Sequence, residues 1–392
     1  MTRSLNRRDL LVGAGAVAAC AVLGTSRRAA AAAAKAVILE TRVISHRPEY
    51  YHGWPTIARC KSGELLLAYS GGREGHVCPF GRVELMRSRD EGKTWGWPCV
   101  VMDTEIDDRD AGVLETAKGT VLVTTFTSLA YTKTLEKAEN APKDKPDAWT
   151  AEHFQRWYAA HNRLSEEQRK AALGVWAIRS TNGGITWSTP CDTLVNSPHG
   201  PIQISDGRLL YAGKELWRGD RNGVCESTDD GLTWRWLAEI PTRAGDELQA
   251  YHEMHAVEAA DGRLIVQIRN HNKNSSRETL QTESSDGGKT WTEPHSIGVW
   301  GLPSHLLRLK DGRLLMTYGH RRAPFGNQAR VSEDHGQTWS EAIVVSGDGP
   351  GGDLGYPSTV QLADGSLLSV WYELMEGSRK AVLRQCHWSL DG

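Results

Sequence analysis

Two short polar strings stand ahead of glycine turns, where a chain entering a strand can present side chains to a ligand. They are Asp107-Asp108-Arg109-Asp110, before Gly119, and Ser197-Pro198-His199-Gly200, before Gly207. A carboxyl group can donate a proton during bond cleavage, which makes Asp110 a candidate acid, and His199 is a candidate to share its cavity. The chain has 14 His, of which His252, His255, His271 and His320 cluster loosely. His252 and His255 are three apart, which on a strand places them on opposite faces. No metalloenzyme spacing appears, and neither a metal nor another cofactor is expected. Cys60, Cys78, Cys99, Cys191, Cys225 and Cys386 form no C-x-x-C pair and read as small buried thiols. The net charge is −2, with 46 basic against 48 acidic residues. That balance argues against nucleic acid or an anionic membrane as the main partner. Recognition of an anion must then come from a local cluster of arginines.

These residues are carried by an internal repeat. The pattern S-x-D-x-G-x-T-W occurs at Ser88–Trp95, Ser227–Trp234, Ser284–Trp291 and Ser332–Trp339, and at Ser180–Trp187 with Asn182 in the Asp place. The Asp side chain accepts backbone N–H bonds within a tight turn, the Gly takes a conformation closed to other residues, and the Trp packs between sheets. Such a box is a folding unit. A second signal, a small or polar residue and Gly followed by an apolar run, recurs at Gly63, Gly119, Gly207, Gly262, Gly312 and Gly365. Asp261-Gly262-Arg263-Leu264-Ile265 reads as a hairpin turn feeding a strand.

The spacing gives the architecture. Intervals between these glycines are 50 to 56 residues, except 88 between Gly119 and Gly207. Setting aside an insertion at 131–173 leaves about 52 residues per repeat, the size of a four-stranded propeller blade. Six repeats plus the insertion account for residues 37–392. The expected fold is all-β, a six-bladed β-propeller with a helical insertion, in which the strand near Val37–Ile44 completes the last blade. Within the insertion, Thr150–Tyr158 and Ser165–Lys170 look like capped helices, and Lys133–Pro146 like a charged loop. Residues 1–36 read as an export signal: Asn6-Arg7-Arg8-Asp9-Leu10-Leu11 is a twin-arginine signature, followed by an apolar run to Gly24 and an Ala-rich stretch. The run is short for a membrane span. The expected location is periplasmic or extracellular. Val17-Ala18-Ala19-Cys20 also fits a lipoprotein cleavage site, which would tether the chain by a lipid.

The repeat and several strand-end segments resemble the sialidase superfamily of Asp-box, or BNR, proteins. That resemblance implies a tyrosine nucleophile paired with a glutamate, arginines that clamp a substrate carboxylate, and an acid/base aspartate. Gly355-Tyr356-Pro357-Ser358-Thr359 is similar to the tyrosine segment, and His252-Glu253-Met254-His255 to the segment of its partner, Glu253. Arg269, in Gln267-Ile268-Arg269, matches the second clamp arginine. One of Arg321 and Arg322, in His320-Arg321-Arg322, matches the third, with a slight preference for Arg322. Glu373, in Trp371-Tyr372-Glu373, resembles the late glutamate that orients a clamp arginine. The N-terminal half departs from the pattern. In His52-Gly53-Trp54-Pro55, Gly53 stands where the first arginine belongs. After Leu67–Arg73 the chain offers Glu74, His76 and Cys78 where an Asp belongs, and His76 is the natural replacement as acid/base.

The resemblance implies an exo-acting glycoside hydrolase that removes a terminal sialic acid or related acidic sugar from a glycan. A neutral phenol suits an anomeric carbon carrying a carboxylate, since an anionic nucleophile would be repelled. Tyr356 would attack, with Glu253 as base and His76 or Asp110 as acid. Arg269 and Arg322, with Arg73, would hold the carboxylate, and His52 and His199 would line the site. Two alternatives stay open: a hydrolase or lyase for a different uronic or neutral glycan, and a non-catalytic glycan-binding propeller.

Overall fold

The computed structural model describes residues 35–391. The export signal read at 1–36 lies outside them, apart from Lys35 and Ala36, which already belong to a strand. Six four-stranded antiparallel sheets follow one another along the chain and form the blades of a propeller. In blades 1 to 5 the four strands are consecutive. Blade 6 takes three strands from the C-terminal end and its fourth, Lys35–Val43, from the N-terminal end, paired antiparallel to Val382–Asp391. The ring is thus closed by hydrogen bonds between distant parts of the chain, as the repeat count implied.

The repeat signals fall at fixed places in each blade. The glycine turns connect first and second strands, and the Asp boxes connect third and fourth. Blade 6 has no box because its fourth strand arrives from the other end of the chain. In the first box Asp90 accepts Thr94 N at 2.8 Å and Thr94 Oγ1 at 2.6 Å, while Ser88 Oγ accepts Gly92 N at 2.8 Å. Asn182 makes the equivalent bond from Thr186 N at 2.9 Å, so the amide serves where the carboxylate is replaced. Gly92 sits at φ +84°, and a Cβ there would lie 2.6 Å from Leu368 of blade 6. Trp95 donates Nε1 to Gln385 Oε1 at 2.8 Å across the same seam. The box therefore sets the turn and also fixes one blade against the next.

Both kinds of turn lie at one end of the ring. The connections between second and third strands lie at the other end, together with the starts of the first strands. The insertion leaves from this second end, between strands two and three of blade 2. It contains three helices, α1 (Ala130–Glu139), α2 (Ala151–His161) and α3 (Glu166–Ala171). The Thr150 cap and the Ser165–Gln168 capping box form as the sequence indicates. The expectation of a loop over Lys133–Pro146 is corrected: α1 occupies its first half, because Tyr131 and Leu135, four apart on one face, bury against Cys78 and Trp157. Among the described cysteines, Cys60, Cys78, Cys225 and Cys386 are buried, while Cys99 is exposed. No helix among the described residues is long and apolar enough to cross a membrane.

Candidate active site

The first strands of four blades carry an irregularity where they enter the ring. Pairing shifts between Gly53 and Thr56 in blade 1, Arg109 and Gly112 in blade 2, His252 and Met254 in blade 4, and Gly355 and Ser358 in blade 6. Trp54, Asp110 and Tyr356 lie in three of these bulges with φ of 52°, 47° and 54°. A bulge re-aims one side chain out of the regular alternation. Left-handed backbone at a bulky residue is costly, and persists where the surroundings hold it. Tyr356 is held partly because Gly355 lies against Gly319: a Cβ on Gly355 would come within 3.4 Å of the Gly319 Cα.

These bulges bring three distant residues into contact. Tyr356 Oη donates to Glu253 Oε1 at 2.5 Å. Arg269 Nη1 donates to Tyr356 Oη at 2.9 Å and to Glu253 Oε2 at 2.5 Å. Burial raises the Tyr356 phenol well above its ordinary pKa, and the Glu253 carboxylate adds to the effect, so the phenol is neutral. Burial also pushes Glu253 upward, but the Arg269 guanidinium and the bonds from Tyr356 and Arg269 outweigh it and hold the carboxyl below its usual range. The result is a neutral hydroxyl beside an ionised acceptor.

Arg269 and Arg321 line a cavity of about 370 Å³, together with His271, Arg277 and Trp300. Burial, with the Arg269 guanidinium nearby, lowers His271 to about 4, and its Nε2 accepts Arg269 Nε at 2.9 Å. The slight preference for Arg322 is corrected. Arg321 is the one whose guanidinium lies over the Tyr356 ring, 5.5 Å from its centroid, fixed by a 2.8 Å bond to the Leu354 carbonyl. Arg322 turns away, stacks on Trp300 at 4.4 Å and donates to His320. Adjacent residues alternate sides, and the local backbone decides which one faces the mouth.

Of the three aspartates in the Asp107–Asp110 string, Asp110 is the one whose carboxyl accepts no hydrogen bond among the described residues. Asp107 is saturated by Arg73 and Asp108 accepts from Thr104. Asp110 is 7% exposed. Burial raises its carboxyl to about 7, against the pull of Arg109 and with the help of Glu253. Two neighbouring carboxyls are therefore pushed apart, one ionised and one protonated near neutrality.

Several expected site residues serve other ends. Arg73 is fully buried, and its guanidinium is spent on Asp107 at 2.6 and 3.0 Å, on Ser70, and on the carbonyls of Gly75, His76 and Asp108. His52 is 1% exposed, bonded to Ser45 Oγ and edge-on to Tyr69, behind the inner strand. Glu373 orients no clamp arginine. It binds Arg384 at 2.9 Å and Trp371 Nε1 at 2.7 Å inside blade 6. His199 is buried and packed with His255 and His305, its ring centroid 6.5 Å from that of Tyr356. Burial lowers the pKa of all three imidazoles. His76 is half-exposed on a loop and binds Tyr51 Oη at 2.8 Å, with Asp353 at 3.4 Å. Trp54 lies between it and the tyrosine, its centroid 5.0 Å from His76 and 6.4 Å from Tyr356. The helical insertion supports this loop, since Arg156 and Trp157 both donate to Glu74 at 3.0 Å. Among the described residues no group of three His, Cys, Asp or Glu is placed to hold a metal ion.

The residues missed in the sequence are Trp54, Arg109 and Tyr372, which surround the Tyr356 ring or its neighbours. The signal for Trp54 was its place beside Gly53, on the strand start where a ligand residue is expected.

Comparison with known proteins agrees with this fold. A BNR repeat-like domain matches residues 148–368. A sialidase of Bacteroides fragilis is 26% identical over 351 residues, covering 81% of this chain and 59% of that protein, so the chain spans well under two thirds of its relative. A crystal structure of a Dyadobacter fermentans protein of unknown function superposes with a TM-score of 0.71 at 24% identity, covering 91% of this chain and 99% of that one. A Hadza microbial sialidase superposes with a TM-score of 0.60 at 18% identity, covering 86% of this chain and 65% of that one. At these identities the two superpositions establish the fold.

Proposed function

Because the chain belongs to the BNR repeat-like family of the sialidase superfamily, we propose that it is an exo-acting glycoside hydrolase that releases a terminal acidic sugar, sialic acid or a relative. The observation that carries this reading is the Tyr356–Glu253–Arg269 contact. A buried phenol 2.5 Å from an ionised carboxylate has its proton acceptor in place. Tyr356 Oη attacks the anomeric carbon and passes its proton to Glu253 Oε1. Arg269, bonded to both, steadies the charge that moves between them. Asp110, protonated near neutral pH, gives its proton to the departing oxygen. Water then cleaves the sugar from the tyrosine, with Asp110 taking the water's proton and Glu253 returning the proton to the phenol. Arg269 and Arg321 face a planar carboxylate, which two parallel N–H donors match.

His76 is set aside as the acid because it is engaged with Tyr51 and Asp353 and separated from the phenol by Trp54. Replacing Tyr356 by Phe removes the nucleophile and leaves the ring packing. Turnover of an aryl sialoside is expected to fall by at least about 10³-fold. Wild-type rates in Tyr356→Phe would remove the phenol from the mechanism.

A further inference from the structure

Two arginines lie against the indole of Trp54, and their surroundings differ. The guanidinium of Arg73 is 4.9 Å from the ring centroid and that of Arg109 is 4.4 Å away. Arg73 is saturated with acceptors. Arg109 is not. Its side chain is 11% exposed, yet its guanidinium makes no hydrogen bond among the described residues. The nearest carboxylate oxygen, Asp107 Oδ2, is 3.7 Å away and already accepts Arg73 Nη2 at 3.0 Å. Asp110, next in sequence, offers little compensating charge while it keeps its proton. None of its nitrogens is a buried orphan, so they stay open to an incoming acceptor, while the Asp107 carboxylate beside them is already committed to Arg73; a guanidinium with donors to spare can take an acceptor from a ligand.

Its position adds to the argument. Trp54 follows Gly53, the glycine that stands where the resemblance places an arginine. Arg109 comes from the first strand of the adjoining blade and rests on the ring of that next residue. The Thr125 hydroxyl donates to the Arg109 carbonyl at 2.7 Å and fixes the backbone from which the side chain leaves. In the cavity that they line, Arg269 Nη2 and Arg321 Nη1 also lack acceptors among the described residues, their other nitrogens being engaged.

We infer that Arg109 is a substrate-binding residue which, with Arg269 and Arg321, receives the carboxylate of an acidic sugar, supplying from blade 2 the guanidinium that Gly53 cannot supply from blade 1. This rests on the reading of the site as one for an acidic glycan. It assigns substrate preference to a residue outside the matched motif, and it makes a lactone, ester or neutral analogue a poor ligand.

The test separates charge recognition from turnover. Binding of 2-deoxy-2,3-didehydro-N-acetylneuraminic acid and of its methyl ester is measured by calorimetry on the wild type, Arg109→Met and Arg109→Lys. The wild type is expected to prefer the acid by at least about tenfold, as one charge-assisted contact among several allows. Arg109→Met is expected to lose most of that preference while ester binding stays within about twofold. Arg109→Lys, which keeps the charge without the planar fork, is expected to retain part of it, and it decides the matter if the Met variant fails to fold. A wild type without the preference, or the same preference in both variants, overturns the assignment. Turnover of an aryl sialoside by the wild type and Tyr356→Phe is followed in parallel. Preference that depends on Arg109 in a protein without turnover supports the assignment and rejects the hydrolase. Turnover that depends on Tyr356, with preference independent of Arg109, does the reverse.

Discussion

Replacing Asp110 by Asn tests the division of labour between the two carboxyls. The change is nearly isosteric, and Asn tolerates left-handed backbone, so the φ of 47° adds no strain. It removes the proton donor, and general-acid catalysis is worth about 10²–10⁴ in rate. That loss should appear with a sugar or alkyl leaving group, which needs a proton, and shrink with a nitrophenyl group, which departs as an anion. A second consequence runs the other way. Burial lifts Asp110 from an ordinary 3.8 to about 7, which corresponds to roughly 4 kcal/mol. Between those values the folded chain keeps a proton that the unfolded chain has released, so stability falls as pH rises through that window. Asn carries no such penalty. Relative to wild type, Asp110→Asn should therefore gain roughly 4 kcal/mol between pH 4 and pH 8 while losing activity. Urea unfolding of both proteins at the two pH values, with kcat/KM on the two leaving groups, measures both effects. Full activity on an alkyl glycoside, or a stability difference independent of pH, would refute the assignment of Asp110 as the buried acid.

Further expectations concern neighbouring residues. Arg321→Met should lower kcat/KM for an acidic substrate by about 10²-fold, while Arg322→Met, which loses a stack on Trp300 and a bond to His320, should change it less than about threefold. Arg73→Met should cost about 3–5 kcal/mol in unfolding free energy by stranding Asp107, with kcat of the folded fraction little changed, as chemical denaturation and active-site titration would reveal. Trp95→Ala should destabilise by about 3–5 kcal/mol, since it opens the seam between blades 1 and 6 that Gln385 and Leu368 share with the first box. A bell-shaped kcat/KM profile is expected with its alkaline limb near pH 7, set by loss of the Asp110 proton, and Asp110→Asn should abolish that limb.

The parts of the site that were legible share a property: each role belongs to a residue in register with a repeated local pattern. Tyr356, Glu253 and Arg269 stand at fixed offsets from a glycine turn, so counting along the repeat placed them at the same end of the ring. The errors share a different property. Arg321 and Arg322 are equivalent by spacing, and contacts from another blade, with Tyr356 and Leu354, distinguish Arg321. Asp110 was legible in the sequence; what the sequence hid is that Arg73 and Thr104 occupy Asp107 and Asp108. Glu373 and Arg73 look like ligand residues by type, yet both are consumed by internal ion pairs. The helix at Ala130–Glu139 was hidden for a similar reason, since its buried face has a partner only in the Cys78 loop of blade 1.

By itself the sequence determined the module, its count and the closure of the ring, because turn chemistry is written in contiguous residues: an Asp that accepts Thr N–H, a glycine at positive φ, a Trp three residues after that glycine. It also determined which strand ends would meet. Only the tertiary structure decided which side chain at each end reaches the mouth, which charges are neutralised before a ligand arrives, and that Arg109 keeps hydrogen-bond donors to spare. Those outcomes depend on bulges and on partners from other blades, whose distances no local pattern encodes.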